Sequence, residues 1–120
     1  MNKEKPDRSK IGRKSRNKGK SGELELSKEL TWQVDCEACR GRQYHGRQDA
    51  PDVHTDICGI HFECKRTESL SLYPAMEQAI ADAGDSIPVV AHRRNGKKWL
   101  LVIRLSDLAA FVHNLKDRVK

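Results

Sequence analysis

The stretch Pro51 to Arg66, PDVHTDICGIHFECKR, decides how this chain of 120 residues is read. An acid follows a proline, and the segment from Gly59 to Arg66 alternates, with Ile60 and Phe62 apolar and His61, Glu63 and Lys65 polar. Side chains two apart in a strand share a face, so Glu63 and Lys65 point one way and Cys64 the other. If Ala50 to Ile57 forms the neighbouring antiparallel strand, with a turn near Gly59, Asp52 supplies a second carboxylate. Two acids and one base then meet at a sheet edge. Metal-assisted phosphodiester cleavage needs hard oxygen ligands for Mg²⁺ and a cation beside the attacking water or the scissile phosphate. The plain alternative is a solvated strand with a cross-strand ion pair.

Downstream of this stretch the spacing predicts a helix with Leu72, Ala75, Met76, Ala79, Ile80 and Ala83 on one stripe, ending near Gly84. Gln78 falls off that stripe, on a flank or in solvent. Ile87 to His92 and Trp99 to Arg104 read as strands rich in Val, Ile and Leu around Asn95-Gly96, the pair that favours a type I′ hairpin. A last helix, Ser106 to about Lys116, places Leu108, Ala109, Val112 and Leu115 on one side, to close the core or to pair with a second subunit.

Upstream, Ser21 to Gln33 reads as a helix with Ser21 as N-cap and acids in the first turn. Glu23, Leu26, Leu30 and Val34 form its stripe, so Glu23 heads the buried face. A buried acid calls for a partner such as a metal or a lysine. The alternative is an exposed Glu23 that favours the helix dipole. Val34 to Arg42 is expected to be a strand and Tyr44 to Ala50 a loop. Arg40, Arg42 and Arg47 make this region basic and suited to phosphate contact. The hairpin tip carries Arg93, Arg94, Lys97 and Lys98, either a DNA-backbone clamp or a solvated turn.

Charge is unevenly distributed. Residues 1–20 hold nine basic and two acidic residues, a net of +7, whereas residues 21–120 hold 14 basic and 15 acidic, a net of −1. With Ile11 as its one large apolar residue, the first segment is expected to be a flexible basic tail whose partner is a polyanion such as nucleic acid. The remaining 100 residues suffice for one compact core. No run approaches the ~18 apolar residues of a spanning helix, and no signal-peptide pattern opens the chain, so an intracellular, cytoplasmic protein without membrane contact is expected. Of the four cysteines, Cys36-x-x-Cys39 has metal-ligand spacing, but Cys58 and Cys64 stand further apart than zinc pairs do. Reduced cysteines serving as small core residues fit better, with a small zinc-dependent interaction protein as the alternative.

The element order helix, strand, strand, strand, helix, strand, strand, helix predicts an α/β fold around one mixed sheet of about five strands flanked by helices. Glu23 on the first helix, Pro51-Asp52, Glu63-Cys64-Lys65 and Gln78 on the next helix together resemble the PD-(D/E)xK nuclease superfamily. Within it, APDV, GIHFECKRTESLSLYPAMEQA and IPVVAHR resemble small Holliday junction resolvase-like proteins of phages and prophages, over roughly residues 21 to 105. The resemblance implies a restriction-endonuclease-like core over residues 21–120 and a DNA endonuclease acting on branched DNA as a homodimer, in a bacterial or phage-infected cell. It implies that Asp52 and Glu63 bind the metal and Lys65 positions or polarises the water. Glu23 would complete the acidic cluster, and Gln78 would support substrate or the lysine. Asp56, four residues on along the same strand face, competes for the role of Asp52. With carboxylate ligands and no clustered histidines, Mg²⁺ or Mn²⁺ is expected ahead of zinc. Arg66 joins Arg40, Arg42, Arg47 and the hairpin cations as an expected DNA contact. The nearest rival is the same nuclease core with another target, such as a restriction-like or repair nickase. The rival from another class is a catalytically silent nucleic-acid-binding module that uses the basic tail and hairpin tip and whose acids serve only in ion pairs.

Overall fold

The computed structural model describes residues 8–41 and 51–120, and side chains from residue 19 onward within that range. Arg42, Arg47 and the expected loop over 44–50 lie outside the described residues. Five strands, β1 (Ala38–Arg40), β2 (Val53–Thr55), β3 (Ile60–Arg66), β4 (Ile87–Arg93) and β5 (Leu100–Val102), form one sheet in the order β1-β2-β3-β4-β5. Pairing is antiparallel except between β3 and β4, which run parallel with Glu63 beside Val90 and Lys65 beside His92. Parallel neighbours need a crossover, and α2 (Leu72–Ala83) supplies it. The fold is α/β with a mixed five-stranded sheet, as the element order implied.

The sheet is covered on both faces, and the alternation of β3 and β4 divides the core in two. Ile60, Phe62, Ile87, Val89 and Ala91 pack with Leu26 and Leu30 of α1 (Arg8–Gln33), while Val90 packs with Ala75, Met76 and Ala79 of α2. Cys64 lies on the α1 side and His61, Glu63 and Lys65 on the α2 side, because strand neighbours alternate.

Four local expectations change. Helix α1 begins at Arg8, so Ser21 sits within it instead of capping it, since nothing in Lys18-Gly19-Lys20 breaks the hydrogen-bond ladder. The strand expected over Val34 to Arg42 shrinks to three residues, with Val34 bridged to Val119. Gly96 has a φ of +70° but among the described residues no non-glycine residue, Asn95 included, has positive φ, so Asn95-Gly96 cannot make a type I′ turn. Instead the Lys97 N–H bonds the Arg94 carbonyl at 3.2 Å, with glycine at the third turn position as a type II turn requires. Finally, α3 (Leu108–Leu115) turns Phe111 and Leu115 toward the core and leaves Leu108 and Val112 exposed.

Candidate active site

Asp52 is placed by backbone chemistry. Its N–H donates to the Phe62 carbonyl at 2.9 Å, but its own carbonyl turns away and accepts the Gly41 N–H at 2.9 Å. Strand β2 therefore parts from β3 here, and Pro51, which has no N–H to offer the ladder, marks the departure. The Cys64 N–H, left without a strand partner, donates to Asp52 Oδ2 at 2.9 Å. Gly41 makes the divergence possible, since a Cβ there would stand 1.7 Å from the Pro51 carbonyl oxygen. This close approach was not foreseen from the sequence, where Arg-Gly-Arg reads only as basic and polar.

Glu63 is buried in the middle of β3 and faces Asp52. Burial pushes the Asp52 carboxyl up first, and the negative charge of Glu63 pushes it further, to about 7; the Cys64 N–H pulls the other way. For Glu63, burial alone would raise the carboxyl, but hydrogen bonds from His61 and Asp52 and the Lys65 charge outweigh it and hold Glu63 low. The pair thus keeps one proton near neutral pH, carried on Asp52, because two adjacent carboxylates resist double ionisation.

Lys65, one pleat beyond Glu63, donates from Nζ to Gln78 Oε1 at 3.0 Å. Gln78 is exposed and off the apolar stripe, as its position in the heptad requires, and that flank is the side from which α2 reaches Lys65. Asp56, the alternative to Asp52, lies away from Glu63. It is exposed, pairs with Arg118 at 3.0 Å and accepts the Glu37 N–H at 3.0 Å, which together hold its carboxyl low.

Glu23 is buried as its stripe implied, but its partner is Arg40, with Nε 2.7 Å from Oε2. Its charge adds a small upward push on Asp52. Arg40 is thereby engaged inside the fold. Arg66 and Arg93 both meet Glu25, Arg66 Nε at 3.5 Å and Arg93 through a short Nη1 contact. These three arginines, expected on DNA, are engaged by two carboxylates, Glu23 and Glu25, whereas Arg94, Lys97 and Lys98 are exposed at the hairpin tip.

A further correction concerns donor chemistry. A histidine does stand beside the carboxylates, with His61 Nε2 2.8 Å from Glu63 Oε1. Among the described residues, His61, Glu63 and Asp82 are the group of three with donor atoms within 4.8 Å of one another. His61 was legible as a same-face neighbour two residues before Glu63; Asp82 was not, because only α2 packing brings it there. The four cysteines are free and none joins such a group among the described residues. Burial pushes the Cys64 thiol up to about 12, which suits a packed side chain better than a thiolate ligand.

A groove of about 990 Å³ between α1, the β4–β5 hairpin and α3 lies on the opposite face of the sheet. Comparison with family models, curated proteins and solved structures finds no match. No helix among the described residues is long and apolar enough to cross a membrane.

Proposed function

We propose that this chain is a metal-dependent DNA endonuclease with a restriction-endonuclease-like core, cleaving branched DNA such as a four-way junction. One observation carries the reading. At the divergence of β2 and β3 the Glu63 charge adds to burial in pushing the Asp52 carboxyl up, while the Lys65 ammonium helps to keep Glu63 ionised. A sheltered carboxyl whose proton affinity is raised by an ionised carboxylate beside it fits a divalent cation, which would replace that proton as the pair's partner.

Asp52 and Glu63 are the residues that would hold Mg²⁺ or Mn²⁺. When bound, that ion supplies a Lewis acid to the scissile phosphate and lowers the pKa of its water. Lys65 provides a fixed positive charge for the phosphoryl oxygens, where negative charge grows as the attacking oxygen bonds to phosphorus. Gln78 holds the Lys65 amine by accepting a hydrogen bond from one N–H and leaves two N–H donors for phosphate and water. Because Asp52 Oδ2 is tied to the Cys64 N–H, the carboxylate keeps its aim without substrate. The leaving oxygen would take its proton from solvent.

DNA contact falls to exposed Arg94, Lys97 and Lys98, together with the basic N-terminal segment. DNA would reach the site from the side of Lys65 and exposed Gln78, where β2 parts from β3, so the groove on the other face is not required. A junction needs two symmetric cuts, which two copies of the chain would provide. Exposed Leu105, Leu108 and Val112 offer the apolar surface for that association.

The test compares wild type with Glu63→Ala on a four-way junction and on linear duplex in Mg²⁺. Wild type should cut the junction preferentially, and Glu63→Ala should lose at least ~10³-fold in rate while binding DNA as before. Full activity of the variant would remove the assignment.

A further inference from the structure

The face of β3 that carries Glu63 offers more donors than the Asp52–Glu63 pair uses. His61 is buried on the same face, with Nε2 2.8 Å from Glu63 Oε1. Asp82 stands one helical turn beyond Gln78 on α2, so the helix flank that delivers Gln78 to Lys65 also delivers a carboxylate further along the strand. The direction is right for both, because α2 must run back along β3 to reach the start of parallel β4. As a result one imidazole nitrogen and two carboxylate oxygens lie within 4.8 Å of one another.

We propose that His61, Glu63 and Asp82 form a second divalent-cation subsite that adjoins the Asp52–Glu63 position and shares Glu63 with it. The proposal rests on the reading of Asp52 and Glu63 as ligands. Two adjacent ligands on an ion with bonds of ~2.1 Å stand ~3.0 Å apart, and opposite ones ~4.2 Å. The His61–Glu63 separation of 2.8 Å matches an adjacent pair. Asp82, only partly buried, has its carboxylate oxygen within 4.8 Å of both, and a side-chain movement of at most ~1.8 Å brings it to ligand spacing. Three protein ligands leave open positions for water or a phosphate oxygen.

The donor set also selects the ion. Imidazole favours Mn²⁺, Co²⁺ or Zn²⁺ over Mg²⁺, whereas two carboxylates alone suit Mg²⁺. Two neighbouring cations that share a carboxylate would flank one scissile phosphate, the arrangement that stabilises attacking and leaving oxygens together. The subsite therefore predicts that Mn²⁺ supports a state with two ions per chain.

Mn²⁺ binding to the full chain, counted from the loss of the free-ion electron paramagnetic resonance signal, tests this. Wild type should take up two ions. His61→Gln, which keeps a hydrogen-bond donor toward Glu63, and Asp82→Asn should each take up one, with the lost step weakened at least tenfold. Asp52→Asn should retain one ion, and adding Asp82→Asn to it should remove that ion. The Co²⁺ absorption spectrum of Asp52→Asn should change on further substitution of His61, as loss of an imidazole ligand requires. Circular dichroism in chelator checks that each variant is folded. If His61→Gln and Asp82→Asn bind Mn²⁺ as wild type does while Asp52→Asn loses it, the second subsite is overturned and the two-carboxylate site stands. If Asp52→Asn keeps an ion that depends on Asp82, and no form of the protein cuts DNA, the subsite stands and the nuclease reading falls.

Discussion

Glu23 and Asp52 are acids sheltered from solvent in neighbouring parts of the fold, and the molecule treats them in opposite ways. Glu23 meets the Arg40 guanidinium at 2.7 Å, a buried charge cancelled by a buried charge. Asp52 meets Glu63, a charge of its own sign, and its carboxyl rises to about 7. The first arrangement holds α1 to β1. The second costs stability until something positive arrives, which is how a site is distinguished from a strut.

Removing one partner of each pair should move stability in opposite directions. Glu23→Ala leaves Arg40 uncompensated at a position where its side chain is 14% exposed, and should destabilise by about 3 kcal/mol in urea unfolding at pH 7. Replacing both Glu23 and Arg40 with leucine should recover most of that loss. A Glu23→Ala protein as stable as wild type would mean that the ion pair holds nothing together.

Asp52→Asn should do the reverse in chelator at pH 8. Because the folded carboxyl is raised from 3.8 to about 7, its favourable contribution is complete below pH 3.8 and disappears as pH rises through 7. That displacement corresponds to about 4 kcal/mol, of which we expect about 2–4 to return in the variant, since asparagine can still accept the Cys64 N–H. Wild type and variant should unfold alike near pH 4 and diverge by pH 8, with the variant more stable but inactive. Saturating Mg²⁺ at 100 times its dissociation constant should restore about 2.7 kcal/mol to wild type alone. An unchanged difference across pH 4 to 8 would mean that Asp52 is not strained by Glu63.

The contrast also shows what could be read in advance. The alternation from Ile60 to Lys65 and the stripe from Leu72 to Ala83 are local periodicities, and the structure keeps both. That Glu23 is buried was legible from its stripe, but Arg40 as its partner was not, since the two are 17 residues apart and joined only by α1 packing on β1. Asp82 was invisible for the same reason. The stripe of α3 left its use open between core and second subunit, because Leu108 and Val112 satisfy the helical period as well as Phe111 and Leu115 do, and only tertiary packing puts Phe111 and Leu115 on the core. Gln78 is instructive in another way. Periodicity locates core residues, so a side chain that serves the site falls outside the pattern by construction.

Gln78 therefore gives the smallest and sharpest test of the difference between strut and site. Its bond to Lys65, 3.0 Å long, is exposed, so Gln78→Ala should change stability by no more than ~0.5 kcal/mol. If Lys65 acts on the reacting phosphate, however, loss of its orienting acceptor should slow cleavage about tenfold at saturating DNA and leave KM unmoved, because an interaction spent in the transition state appears in kcat. Gln78→Glu should not rescue the rate, although it offers Lys65 a stronger partner, because it adds a third negative charge facing the phosphate. A Gln78→Ala enzyme with wild-type kcat would show that the Lys65 amine finds its own place, and the orienting role would then belong to β3 alone.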